Sequence, residues 1–203
     1  MIEKILAVLS GFIIAVISTL GYWGIILSMA IESACIPLPS EIIMPFSGYL
    51  VWTGKFTLFG ISLAGAIGCV LGSVVTYYIG VLGGRPLLEK YGKYVLISHH
   101  DLEVADKFFA KYGDSAIFIS RLLPVVRTFI SLPAGIVKMN FVKFFIYSLV
   151  GSFIWCLFLG WIGLKLGEHW NTLGIYFHKF DIVIGIIIVI GIVLYLYRHL
   201  SKK

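Results

Sequence analysis

Hydrophobic and polar positions alternate on a coarse scale along this chain. Long apolar runs are separated by short polar connections. Ile5–Leu20 is an apolar run long enough to span a bilayer when slightly extended. Gly21-Tyr22-Trp23-Gly24 then marks a turn with interfacial aromatics. Ile25–Leu50 has the hydropathy of a span, but Glu32, Pro37, Pro39, Glu41 and Pro45 interrupt it. A proline clashes with the preceding helical turn and lacks an N–H. The pattern therefore predicts helix–break–helix, entering and leaving by one side, over about 22–53, closed by Trp52-Thr53-Gly54-Lys55.

Phe56–Leu82 reads as an uninterrupted span, with Ala64, Gly68 and Gly72 forming a small-residue stripe for close helix packing. Gly83-Gly84-Arg85-Pro86 is expected to end it. The polar stretch of about 85–113 carries Ser98 as an N-cap, Asp101 and Glu103 in the first turn, and Leu102, Ala105, Phe108, Phe109 and Tyr112 at helical spacing. It predicts a short amphipathic helix on the membrane surface. A second broken segment covers 114–137, with Arg121, Pro124, Arg127 and Pro133 set in apolar sequence. Phe141–Leu164 and Ile182–Tyr197 complete the spans. The N-terminal run has no small-residue cleavage site after Leu20 and is expected to be retained.

Composition agrees with this partition. The chain is 60% hydrophobic and 13% charged, against roughly 25% charged in a soluble domain. The expected fold is an all-α polytopic membrane protein, a single membrane domain over residues 1–203. It has four transmembrane helices, two opposed re-entrant hairpins and one interfacial amphipathic helix. The net charge of +6 lies in the connections, where it sets topology and meets anionic headgroups; it is no nucleic-acid signal. With both broken segments re-entrant, Lys4, Arg85, Lys90, Lys93, Lys107, Lys111, Lys138, Lys143, Arg198, Lys202 and Lys203 share one side. Lys55, Lys165 and Lys179 share the other. That asymmetry places both termini in the cytoplasm. The first hairpin then opens outward and the second inward. Glu32 follows Gly24 by the same interval as Arg121 follows Gly113, and Ser47-Gly48 matches Ala134-Gly135. Two such units of opposite orientation form an inverted repeat, as in many secondary transporters.

Ionisable residues at membrane depth are costly and mark pathways and relays. Arg121 and Arg127 make a site for a phosphate-type anion, with backbone N–H groups freed at the breaks. Thr128 and Ser131 are candidate hydroxyl donors. Glu32 and Glu41, with Asp114 as a further acid, are candidates for proton coupling. Pro37, Pro39, Pro45, Pro124 and Pro133 are assigned to the helix breaks. The alternative is that Glu and Arg form structural ion pairs pinning the hairpin tips together. Cys35, Cys69 and Cys156 read as buried thiols, with no metal site, and no cofactor is expected. Trp155 and Trp161 read as packing or interface anchors. The histidines, His99, His100, His169, His178 and His199, fall in connections or the tail, which argues against a phosphatase.

These residues resemble the DedA family of bacterial membrane proteins, related to eukaryotic proteins with a VTT domain. The resemblance rests on Glu32 with Pro37-x-Pro39-x-Glu41, on Phe118-x-x-Arg121-x-x-Pro124-x-x-Arg127-Thr128, and on Ala134-Gly135-x-x-x-Met139. It covers Gly21 to about Gly167. It implies opposed re-entrant hairpins and movement of lipids between leaflets of the bacterial cytoplasmic membrane. The carried lipid is then undecaprenyl phosphate, with phospholipids such as phosphatidylethanolamine as the alternative, driven in several members by the proton-motive force. The family's acidic pair falls on Glu32 and Glu41 and its arginine pair on Arg121 and Arg127. Some members have Gly-Asp where this chain has Ser40-Glu41, which leaves the substrate subgroup open. The implied partners are membrane lipids, the anionic lipid phosphate and protons; no nucleic acid is implied. A proton-coupled exchanger of small cations would need the acids but gives no reason for two arginines.

Overall fold

The computed structural model describes residues 2–34, 38–95, 109, 112, 113, 115–123 and 126–167. Pro37, Asp114, Pro124, Cys35, the five histidines, most of the expected amphipathic helix and the expected last span lie outside these residues.

Eight helices occur among the described residues: α1 Ile2–Leu20, α2 Tyr22–Ser33, α3 Ser40–Trp52, α4 Leu58–Val95, α5 Ser115–Arg121, α6 Val126–Phe129, α7 Ser131–Ile136 and α8 Phe141–Lys165. Within α4, Leu58–Gly83 is long and apolar enough to cross a membrane, and so is α8. At 1.5 Å per residue these stretches measure about 39 and 37 Å, more than the roughly 30 Å of hydrocarbon. The helices α2 and α3 measure only about 18 and 20 Å.

Local chemistry explains most boundaries. Gly21 turns the chain between α1 and α2 with φ 61°, open to glycine at no steric cost. Pro39 precedes α3 in extended conformation as its N-cap. Asn140 caps α8, its side chain accepting from the N–H groups of Val142 and Lys143.

Three expectations are corrected. The chain does not break at Pro45, which lies inside α3. One lost backbone bond is tolerated where neighbouring helices hold the segment, and α3 packs along α8 with the Pro45 carbonyl against Gly163. Pro133 lies in the first turn of α7, and Ile130 just before α7 is itself αR, its N–H donating to the Val126 carbonyl and its carbonyl accepting from the Ala134 N–H, so the chain does not break there. The helix α4 runs past Gly83-Gly84-Arg85-Pro86 to Val95. A single proline removes one hydrogen bond from a long helix and need not end it.

The two long helices frame the molecule, and the broken units are laid across them crosswise. In the first unit α2 packs on α4 and α3 on α8. In the second α5 packs on α8 and α7 on α4. Each unit therefore puts its first arm on the long helix that follows it and its second arm on the other. Close approach depends on the small-residue stripe: a methyl at Gly72 would overlap the Ala30 carbonyl oxygen, and one at Gly68 the Ile26 carbonyl oxygen. The outer face of α4 exposes Phe59, Leu63, Ile67, Leu71, Val75, Ile79 and Leu82. Buried polar residues inside and apolar residues outside are the arrangement a lipid surround demands.

Candidate functional site

Both breaks expose backbone groups that a continuous helix would have paired. Glu32 and Ser40 flank the first break, at the ends of α2 and α3. Arg121 and Arg127 lie on either side of the second, at the end of α5 and within α6. The structure brings the two breaks together.

Arg127 reaches from the second break to the first. Its Nη2 donates to Glu32 Oε1 and to Ser40 Oγ, so one guanidinium bridges both sides of the opposite break. Glu32 is 5% exposed and Arg127 3%, so neither charge meets solvent and each depends on the other. The guanidinium carbon lies 5.5 Å from the centroid of the Trp155 ring, a cation–π contact from α8.

Arg121 ties its own unit together and to α8. Its Nη1 donates to the main-chain oxygen of Arg127 at 2.6 Å. Its Nη2 donates to Ser131 Oγ at 2.9 Å and to Ser148 Oγ at 3.1 Å. A planar fork serves three acceptors on α6, α7 and α8 at once. Its stem lies against Gly151, where any side chain would collide, and its charge faces the Phe144 ring at 6.0 Å. At the first break, Thr76 Oγ1 on α4 donates to the Ser33 carbonyl oxygen at 3.3 Å.

Around Arg127, the buried atoms Glu32 Oε2, Arg127 Nε and Trp155 Nε1 have no hydrogen-bond partner among the described residues. Two are donors and one is an acceptor. Chemically, the centre is a buried guanidinium held by a carboxylate and a serine hydroxyl.

The structure places the residues singled out from the sequence unevenly. Glu32, Arg121, Arg127 and Ser131 form the centre. Ser131 Oγ accepts from Arg121. Thr128 is half-buried beside Arg127 on α6. Glu41 follows Ser40 directly and is half-buried. It forms no salt bridge among the described residues. Cys69 and Cys156 are buried thiols, as expected. Sequence reasoning missed Ser40, Ser148 and the position of Trp155. Ser148, Ser152 and Trp155 recur along one face of α8; that stripe in an apolar span was the available signal.

Two membrane-length apolar helices and a buried Arg–Glu centre are the features of a membrane protein. Its family follows from comparison with known proteins. Residues 38–165 match the VTT domain model, and the chain belongs to that family, also called DedA. It is 40% identical to the uncharacterized membrane protein YkoX of Bacillus subtilis, over 91% of this chain and 82% of that protein. It is 37% identical to undecaprenyl phosphate transporter A of the same organism, over 88% of both chains. It is 32% identical to an alkaline phosphatase-like protein of Lactococcus lactis, over 94% of both chains. No solved structure gives a significant match.

Proposed function

We propose that this protein is a lipid-phosphate flippase that returns undecaprenyl phosphate across the bacterial cytoplasmic membrane, coupled to protons. One observation carries the reading: Arg127, buried at the meeting of two helix breaks, has Glu32 as its carboxylate partner. A phosphate entering the site competes with that carboxylate for the same guanidinium. Uptake of a proton by Glu32 removes the competitor's charge and releases Arg127 to the phosphate. Departure of the phosphate reverses both steps. The carboxylate and the lipid phosphate thus exchange places on one cation, the proton riding on Glu32, and the site never holds an unpaired buried charge. The relatives named undecaprenyl phosphate transporter A support the choice of lipid.

The short α2 and α3, and the crosswise packing of both units on α4 and α8, support two re-entrant hairpins of opposite orientation between crossing helices. In that arrangement the centre is reached from each side in turn, with both termini cytoplasmic as the Lys and Arg distribution requires.

The test is surface exposure of undecaprenyl phosphate in cells depleted of the protein, read with a phosphate-binding antibiotic. Exposure rises if the lipid is returned by this protein; unchanged exposure refutes the assignment. In proteoliposomes, lowering the pH on the loading side raises the transport rate of the wild type. Glu32→Gln, which stays neutral, has a rate indifferent to pH. A variant that keeps the wild-type pH profile places the coupling proton elsewhere. Phosphate release from the lipid by purified protein would make it an enzyme and overturn the transport reading.

A further inference from the structure

Trp155 was read from the sequence as a packing residue, yet its surroundings are those of a ligand. An indole N–H is a donor with no acceptor capacity. Buried without a partner, it carries a full desolvation cost that packing alone does not offset. Trp155 Nε1 is such a donor among the described residues, and Arg127 Nε and the acceptor Glu32 Oε2 share that condition. Their residues are neighbours: Arg127 lies against the Trp155 ring and is bonded to Glu32. The remaining Trp155 neighbourhood is apolar, since the ring packs against the cluster that holds Met44, Cys69 and Cys156. The other tryptophans among the described residues, Trp23, Trp52 and Trp161, are exposed, so an inward-facing indole is particular to this site.

We propose that Trp155 is a substrate-binding residue, its indole N–H joining Arg127 Nε in donating to the oxygens of a phosphate monoester. This rests on the lipid-phosphate reading above. A phosphate monoester offers several oxygens on one tetrahedral centre. Two accept from Arg127 Nε and Trp155 Nε1. One proton shared between Glu32 Oε2 and a third oxygen completes the set, so Glu32 Oε2, Arg127 Nε and Trp155 Nε1 each find a complement. The face of α8 that carries Ser148 and Trp155 then does two jobs. Ser148 holds the positioning arginine, Arg121. Trp155 meets the ligand beside Arg127.

The experiment uses the full-length protein in lipid nanodiscs, with Trp23, Trp52, Trp161 and Trp170 replaced by Phe. Trp155 is then the source of the single indole 15N–1H signal. Undecaprenyl phosphate and inorganic phosphate are titrated separately. The expected result is a downfield shift of that signal with each, because a hydrogen bond to an anionic oxygen deshields the proton. In the native background, Trp155→Phe keeps the ring face for Arg127 and loses the donor. Its half-saturating undecaprenyl phosphate concentration rises about tenfold, the loss of one hydrogen bond to a charged group. A shift with inorganic phosphate in a protein that moves no undecaprenyl phosphate upholds the role of Trp155 and refutes the choice of lipid. An unmoved indole signal at concentrations that saturate transport, or wild-type affinity in Trp155→Phe, overturns the proposal. The variant measurement stands even if the four-Phe background does not fold.

Discussion

The two helix breaks of this molecule are built alike and held differently. The second break is held from within: Arg121 donates to the Arg127 carbonyl and to Ser131, ten residues further along its own unit. The first break supplies acceptors and no cation. Its ends are tied by groups from elsewhere, Thr76 on α4 and Arg127 on α6. A break stapled by its own unit keeps its shape whatever its neighbour does. A break held by its neighbour changes when that neighbour finds another partner. The contrast assigns Arg121 to positioning and Arg127 to exchange, although both are buried arginines six residues apart in one apolar segment.

The strongest way to break this comparison is Arg127→Ala. It leaves Glu32 buried without its cation, which costs about 3–5 kcal/mol. Thermal unfolding in detergent should show that loss together with abolished transport. Adding Glu32→Gln should recover most of the stability and none of the transport. Failure of the double variant to recover stability would show that the pair is not the reason for the loss.

Arg121→Lys comes next. A lysine keeps the charge but serves one of three acceptors, so two hydrogen bonds to a charged group are lost, roughly 3 kcal/mol in all. Transport should fall while the affinity for the lipid stays near wild type, because Arg127 is misplaced in its resting geometry and not removed. A variant whose affinity falls as far as that of Arg127→Lys would erase the distinction between the two arginines.

Gly72→Ala probes the framework beneath the first break. The added methyl overlaps the Ala30 carbonyl oxygen, and backbone cannot yield as a side chain tip does. The expected cost is about 1–3 kcal/mol, with α2 pushed off α4. Ser148→Ala sharpens the comparison with the smallest effect. It removes one of two hydroxyl acceptors of Arg121 Nη2, so a loss of about 1 kcal/mol is expected, with little change in transport. Both are read from the same unfolding measurement.

Much of this was legible in the residues. Membrane residence followed from apolar runs, and α8 and the membrane-length part of α4 from hydropathy and length. The four charges stood out because charge in an apolar segment is expensive wherever it occurs. Proline positions were less telling. Pro39 sits at a helix boundary, but Pro45 and Pro133 lie inside helices, since a proline breaks a helix only where neighbours do not hold the segment. The end expected at Pro86 failed because one lost hydrogen bond need not end a long helix. Serines were nearly silent. Ser40, Ser131 and Ser148 became legible as arginine partners once helices distant in sequence met. The unpartnered N–H of Trp155 beside Arg127 is a tertiary fact that no local pattern reveals.

By itself, the sequence determined that the protein lives in lipid and that two interrupted segments carry opposite charges. Transfer free energies act residue by residue, so composition and order are enough for that. Tertiary structure alone decided that Arg127 pairs with Glu32 across the molecule while Arg121 braces its own break. Those partners are 95 and 6 residues apart in the chain. A hydrogen bond depends on distance and angle, which sequence separation does not record. What sets them is the crosswise packing of two short broken units on two long helices.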